Sequence, residues 1–227
     1  MVVLLQNELD QLKKQLLFLS AEVEKRVQQA VVALLNLDSD LAEQVKKGDA
    51  QVDNLEIALE EECLKVLALH QPVANDLRFI VSVLKINNDL ERVADFAVNI
   101  AERAIDLSEI VKIGCPYDVA KMARLVEEML RMALDSLMEQ NANLARETIL
   151  FDDKVDMMHR ENFQKVKNAI REDISLMDGL IFYLSISRYL ERMGDLATNI
   201  AEDVVYQVEG QIIRHGGVQE QCQSLVT

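Results

Sequence analysis

The sequence predicts an all-α protein of six long helices, arranged as two tandem antiparallel three-helix bundles, and three observations carry that prediction. Apolar residues recur at helical spacing along most of the 227-residue chain. Only seven Gly and two Pro are present, which argues against a fold built from many tight turns. The stretch from Leu90 to Glu102 returns one hundred residues later as Leu190 to Glu202, with nine of thirteen positions identical, including every acidic residue, the Arg and the Asn. Two copies at that separation mark a duplicated unit.

The first helix is predicted from Leu4 to Asn36, where Leu5, Leu9, Leu12, Leu16, Leu19, Val23, Val27, Ala30 and Leu34 follow a near-heptad period. Asp38-Ser39-Asp40 supplies a turn and an N-cap. The second helix runs to His70 through Leu41, Val45, Val52, Leu55, Leu59, Leu64 and Leu67, with Gly48 inside it at about 1 kcal/mol relative to Ala. Gln71-Pro72 breaks it, and the third helix continues from Val73 to Val111 with the first copy of the repeat. Ile113-Gly114-Cys115-Pro116 is the combined Gly/Pro signal at mid-chain and sets the boundary between halves, 1–112 and 113–227. The second half repeats the plan, with helices predicted over 118–139 and 144–171 on either side of a polar turn at Gln140-Asn141-Ala142-Asn143, and a last helix after Glu172-Asp173 that extends to Arg214 and is stopped by His215-Gly216-Gly217.

Composition narrows the function classes. A net charge of −15 opposes non-specific binding to nucleic acid or an anionic membrane, and suits cations or a basic partner. Cys63, Cys115 and Cys222 lie far apart, without a CxxC pair, which predicts a reducing compartment and free thiols. The start lacks the basic region of a signal peptide, and the longest weakly polar run, 179–187, is too short to span a bilayer. A cytoplasmic protein is expected, touching membranes only through partners.

The repeated stretch is rich in groups that ligate metals. Glu91 and Asp95 are four apart, as are Asp95 and Asn99, with Glu102 three further on, so a helix lines them on one face. Leu77, Leu84, Glu91 and Val98 form one heptad column, and Met177, Leu184, Glu191 and Thr198 its counterpart, so each Glu stands where Leu stood one heptad earlier. The preceding helix of each half offers Asp49 and Asp53, then Glu56, and Asp152 and Asp156, then His159. In an up-down-up bundle these helices are antiparallel neighbours, and four carboxylates per half converge.

The alternative is a solvated acidic face. Like charges at i,i+4 cost roughly 0.2–0.5 kcal/mol per pair, a cost that a multivalent cation reverses. The candidate metal ligands are therefore Asp49, Asp53, Glu91 and Asp95 in one half, with Asp152, Asp156, Glu191 and Asp195 in the other. Oxygen donors suit Mg²⁺, Ca²⁺, Mn²⁺ or iron, with zinc also possible. His159 biases the second set towards iron or zinc. Arg92 and Arg192 are expected in salt bridges, and Met129, Met132, Met157, Met158 and Met193 in the core.

These residues carry a resemblance. Gln71-Pro72-Val73-Ala74-Asn75-Asp76-Leu77-Arg78, then Leu90-Glu91-Arg92-Val93-Ala94-Asp95 and Asn99-Ile100-Ala101-Glu102, resemble the PhoU family of bacterial phosphate-transport accessory proteins over nearly the whole chain. The resemblance implies a homodimeric, non-enzymatic, negative regulator of phosphate uptake and of the phosphate-starvation regulon. It implies a phosphate ABC transporter and a sensor histidine kinase as partners, no nucleic acid, and iron or zinc on the acidic motifs. The chain departs from the pattern at Ala94 and Phe96, where relatives often carry Gly and His, and the second half has no counterpart of Gln71-Pro72. The rival function is a carboxylate-bridged di-metal enzyme or metal-storage bundle. That class uses two Glu-x-x-His elements, which only Asp156-x-x-His159 approaches here.

Overall fold

The computed structural model describes residues 2–110 and 113–213. Six helices appear in the expected order: α1 (Val2–Asn36), α2 (Ser39–His70), α3 (Ala74–Glu109), α4 (Val119–Met138), α5 (Ala142–Glu172) and α6 (Met177–Glu209), with a 3₁₀ turn at Ile174–Leu176 before the last. Among the described residues there is no strand.

Helix starts follow local chemistry. The side chain of Asp38 accepts from the Leu41 amide at 2.9 Å, and that of Asp118 from the Lys121 amide at 2.8 Å. Asn141 caps α5 through the amides of Asn143 and Leu144. The α1–α2 and α4–α5 turns share one geometry. Leu37 and Gln140 sit at φ 52 and 51, and the amides of Asp38 and Asn141 close back on the carbonyls of Ala33 and Ser136. Residue 38 thus corresponds to 141, 33 to 136 and 49 to 152. The repeat extends well beyond the thirteen-residue stretch that announces it.

Some ends move. The last helix stops at Glu209, where Gly210 at φ 73 takes the left-handed C-cap position, so it is shorter than the sequence predicts. The predicted stop at 215–217 lies outside the described residues, as do Val111 and Cys222. The fifth helix begins two residues early because Asn141 itself is the cap.

α1, α2 and α3 pack on one another, as do α4, α5 and α6, and α3 packs along α6 as extensively as any pair within a half. α3 and α6 run antiparallel: Ser82 lies beside Asp203, the rings of Phe96 and Tyr189 stack at 5.9 Å, and Arg103 covers the ring of Phe182. One continuous apolar core runs through both halves. In α1 the predicted stripe from Leu9 to Leu34 is buried throughout. In α2 the stripe is shifted: Leu64 is exposed, and Cys63 and Val66 fill the core instead. Met129 and Met193 are core residues as expected, whereas Met157 is exposed at 55%. Where Met157 was expected to fill the core, its neighbour Val155 takes the inward position of α5.

Candidate metal centre

Each half brings its acidic residues together where its second and third helices run side by side. Ala94 and Gly194 are buried and small, and they let α3 and α6 approach their neighbours closely. At Gly194 an added Cβ would stand 3.3 Å from Asp152 Oδ1 and 3.4 Å from Val155 Cγ1. The second half makes the tighter cluster. Asp152, Asp156 and Asp195 each offer an oxygen within 4.8 Å of the others, the one such group among the described residues. Glu191 belongs to the rim of this cluster, near enough to Asp195 and Asp156 to feel their charge. Burial first, then Asp195, Asp156 and Glu191, push the Asp152 carboxyl up to about 7. Its Oδ1 is buried with no hydrogen-bond partner in the structure.

The first half assembles the same residues more loosely. Asp49 and Glu91 are half-buried, while Asp53 and Asp95 are exposed. Their carboxyls are still coupled: burial, then Asp53 and Asp95, raise Asp49, and burial, then Asp53, raise Asp95. Glu91 is raised by burial and then by Asp95, Glu56, Asp53 and Asp49. Asp49 Oδ1 is buried without a partner, like Asp152 Oδ1 at the corresponding position. Leaving such an oxygen unpaired costs about 1–3 kcal/mol, so an unpartnered oxygen at matching positions of both halves fits a donor or cation that the protein chain does not supply.

The flanking groups divide as expected in part. Arg192 pairs with Asp195 at 3.2 Å and Glu191 at 3.7 Å, on the rim of the second cluster. Arg92 turns to Asp89 instead, at 3.4 Å. His159 Nδ1 is 3.0 Å from Ser187 Oγ, and burial holds its pKa below the ordinary value. Asn199 and Glu202 stand apart from the cluster and line an open groove of about 620 Å³ along the α3–α6 seam, with Leu84, Lys85, Asn88, Asp89 and Asp203. Sequence reasoning missed Lys85, Asp89 and Asp203. Lys85 Nζ pairs with the buried Asp203 at 2.6 Å, while burial pushes Asp89 up to about 6 despite the nearby Arg92. It also missed Arg26, whose signal was a cation at a core position of α1, between Val23 and Val27.

Fold and site together define a tandem-repeat helical protein that carries one carboxylate cluster per half, with none of its helices long and apolar enough to cross a membrane among the described residues. The family model described as the PhoU domain matches it twice, over residues 16–104 and 119–204, and the chain belongs to the PhoU family. It is 38% identical over 212 residues to the phosphate-specific transport system accessory protein PhoU homolog of Pseudomonas putida, covering 93% of this chain and 83% of that protein. The PhoU protein of Escherichia coli is 30% identical over 213 residues, covering 94% of this chain and 88% of its own length. The crystal structure of PhoU from Pseudomonas aeruginosa superposes with a TM-score of 0.86 at 37% identity, over 91% of this chain and 99% of that one. That of the phosphate transport regulatory protein PhoU from Streptococcus pneumoniae gives 0.86 at 27% identity, over 93% and 100%.

Proposed function

We propose that this protein is an accessory regulator of a phosphate-specific transport system, which restrains phosphate uptake and the phosphate-starvation response and acts as a non-enzymatic adaptor. The twofold match to the family over both halves carries this reading. Its partners are a phosphate ABC transporter and a sensor histidine kinase, reached from the cytoplasmic side, and it works as a homodimer. A charge of −15 favours basic docking surfaces on those partners.

A multivalent cation, iron or zinc foremost, belongs on the acidic clusters. The residues fit such a group: three carboxylates within 4.8 Å and a buried Oδ1 without a partner supply hard oxygen donors and leave one of them unsatisfied. Asp152, Asp156 and Asp195 would hold the cation in the second half with Glu191 beside them, and Asp49, Asp53, Glu91 and Asp95 would hold it in the first. When bound, the cation neutralises the clustered charge and ties α5 to α6 and α2 to α3. The chain's own groups set the frame: Gly194 admits Asp152 to the helix contact, and Arg192 orients Asp195.

Deleting the gene tests the regulatory role. Expression from phosphate-repressed promoters should rise at high phosphate, and unaltered repression would exclude it. Elemental analysis of protein purified without chelator tests the metal: stoichiometric metal in the wild type, reduced in Asp195→Ala, is the expected result.

A further inference from the structure

The two clusters have matching carboxylates and unlike surroundings: the second carries Arg192 on its exposed rim, paired with Asp195 and Glu191, whereas the first has a buried cation beside it. Arg26, on α1, is only 6% exposed. Its guanidinium lies across α2, donating to the Val45 carbonyl at 3.3 Å and to Gln51 Oε1 at 3.4 Å, while its Nε has no partner. It occupies the space that any side chain at residue 48 would need: a Cβ on Gly48 would fall 1.8 Å from Arg26 Nη1. The glycine sits next to Asp49, and the positive charge of Arg26 reaches that carboxylate.

The shared turn geometry fixes the corresponding residues in the second half. Residues 16, 19, 23, 27 and 30 of α1 are buried, as are 119, 122, 126, 130 and 133 of α4, and the register places Met129 opposite Arg26 and Phe151 opposite Gly48. Met129 is fully buried, with its sulfur 3.7 Å from the Cβ position of Gly194. On the buried side, therefore, a neutral thioether lies behind the second cluster where a guanidinium lies behind the first, and Arg192, on the second cluster's ligands, is half exposed and screened by solvent. Phe151 takes the place of the glycine in the register and carries Lys154 over its ring at 3.8 Å.

We infer that Arg26 is a built-in counter-cation for the first acidic cluster, a specificity-determining residue that makes the two clusters bind multivalent cations unequally, the second more tightly. This rests on the metal reading above and extends it to which half is loaded. A fixed positive charge in a buried site opposes an incoming cation, and its desolvated position keeps it from being screened. The same charge offsets part of the repulsion among Asp49, Asp53 and Asp95, so the first cluster has less to gain from a metal.

Titration of metal-free protein with Mn²⁺, following free Mn²⁺ by its paramagnetic resonance, tests the inference. Two classes of site are expected in the wild type, and Asp156→Asn with Asp195→Asn should remove the tighter one. Arg26→Met, which installs the residue of the second half, should tighten the weaker class by about tenfold or more, as expected for removing a nearby buried charge, and leave the tighter class unchanged. Arg26→Lys should behave as wild type, and Arg26→Gln serves as a second neutral variant should the methionine not fold. Two equal classes in the wild type would overturn the inference without any variant. So would an unaltered weak class in Arg26→Met, or an equal change in both classes. No binding of Mn²⁺, and none of Fe²⁺ or Zn²⁺ titrated in the same way by calorimetry, would overturn the metal reading beneath it, which separates the two failures.

Discussion

Asp152 is the residue on which the local physics is most exposed to test. Its carboxyl is raised from the ordinary 3.8 to about 7 by burial and by the acidic groups around it. A carboxyl that binds its proton more tightly in the folded state stabilises that state at low pH and loses the advantage as pH rises between those two values. Metal-free protein should therefore become less stable from about pH 4 to about pH 7, as followed by thermal melting across a pH series. Asp152→Asn should flatten that slope and raise the metal-free Tm at neutral pH. Saturating cation should reverse the slope in the wild type, because the metal competes with the proton for the same oxygens. Cys63 makes the complementary case. It is fully buried and its thiol is pushed up to about 12, so native protein should leave it unalkylated by iodoacetamide, while unfolded protein reacts.

At the level of the helices, the sequence spoke clearly wherever one face met one core. The α1 stripe, the Asp38 and Asn141 turns and the paired carboxylates were readable because helical period and capping chemistry are local. The i,i+4 acids converge because α2 against α3, and α5 against α6, is the arrangement short turns impose. Leu64 misled because apolar residues crowd α2 on either side of its true stripe, and only packing distinguishes Cys63 from its neighbour. Asp89, Lys85 and Asp203 stayed hidden because nothing in a periodic pattern tells which helices meet across the two halves. The looser first cluster was equally invisible: identical spacing conceals whether Arg or Met stands behind it. Gly48 was legible only as a cost in mid-helix, yet it yields room to Arg26, as Gly194 does to Asp152. Gly194→Ala gains up to about 1 kcal/mol in helix propensity but crowds Asp152 and Val155. It should change Tm little and weaken cation binding to the second cluster, which calorimetric titration would register.

Across the whole molecule, the α3–α6 seam decides whether the halves are separable. One apolar core crosses it, and its charges are matched to this pairing: Lys85 meets the buried Asp203, and Arg103 meets the ring of Phe182. Were two first halves to pair through α3, the repeat would set Lys85 against Arg103 at both ends. Were two second halves to pair through α6, Asp203 would face Ser185 with no cation. Like-charge contact in the first arrangement and an unpaired buried carboxylate in the second each disfavour the wrong partner. Within the intact chain, Lys85→Met should destabilise by about 1–3 kcal/mol, since Asp203 keeps its burial and loses its charge partner. Residues 1–112 and 113–227 produced separately should each melt without a sharp transition, because each exposes its seam. Mixed at equal concentration, they should recover a cooperative melt and sediment as a one-to-one complex. Full cooperative folding of either half alone as a monomer would show that the seam joins two independent domains; recovery only on mixing would show that the duplication survives as a single folding unit, specified by the charges that tell α3 from α6.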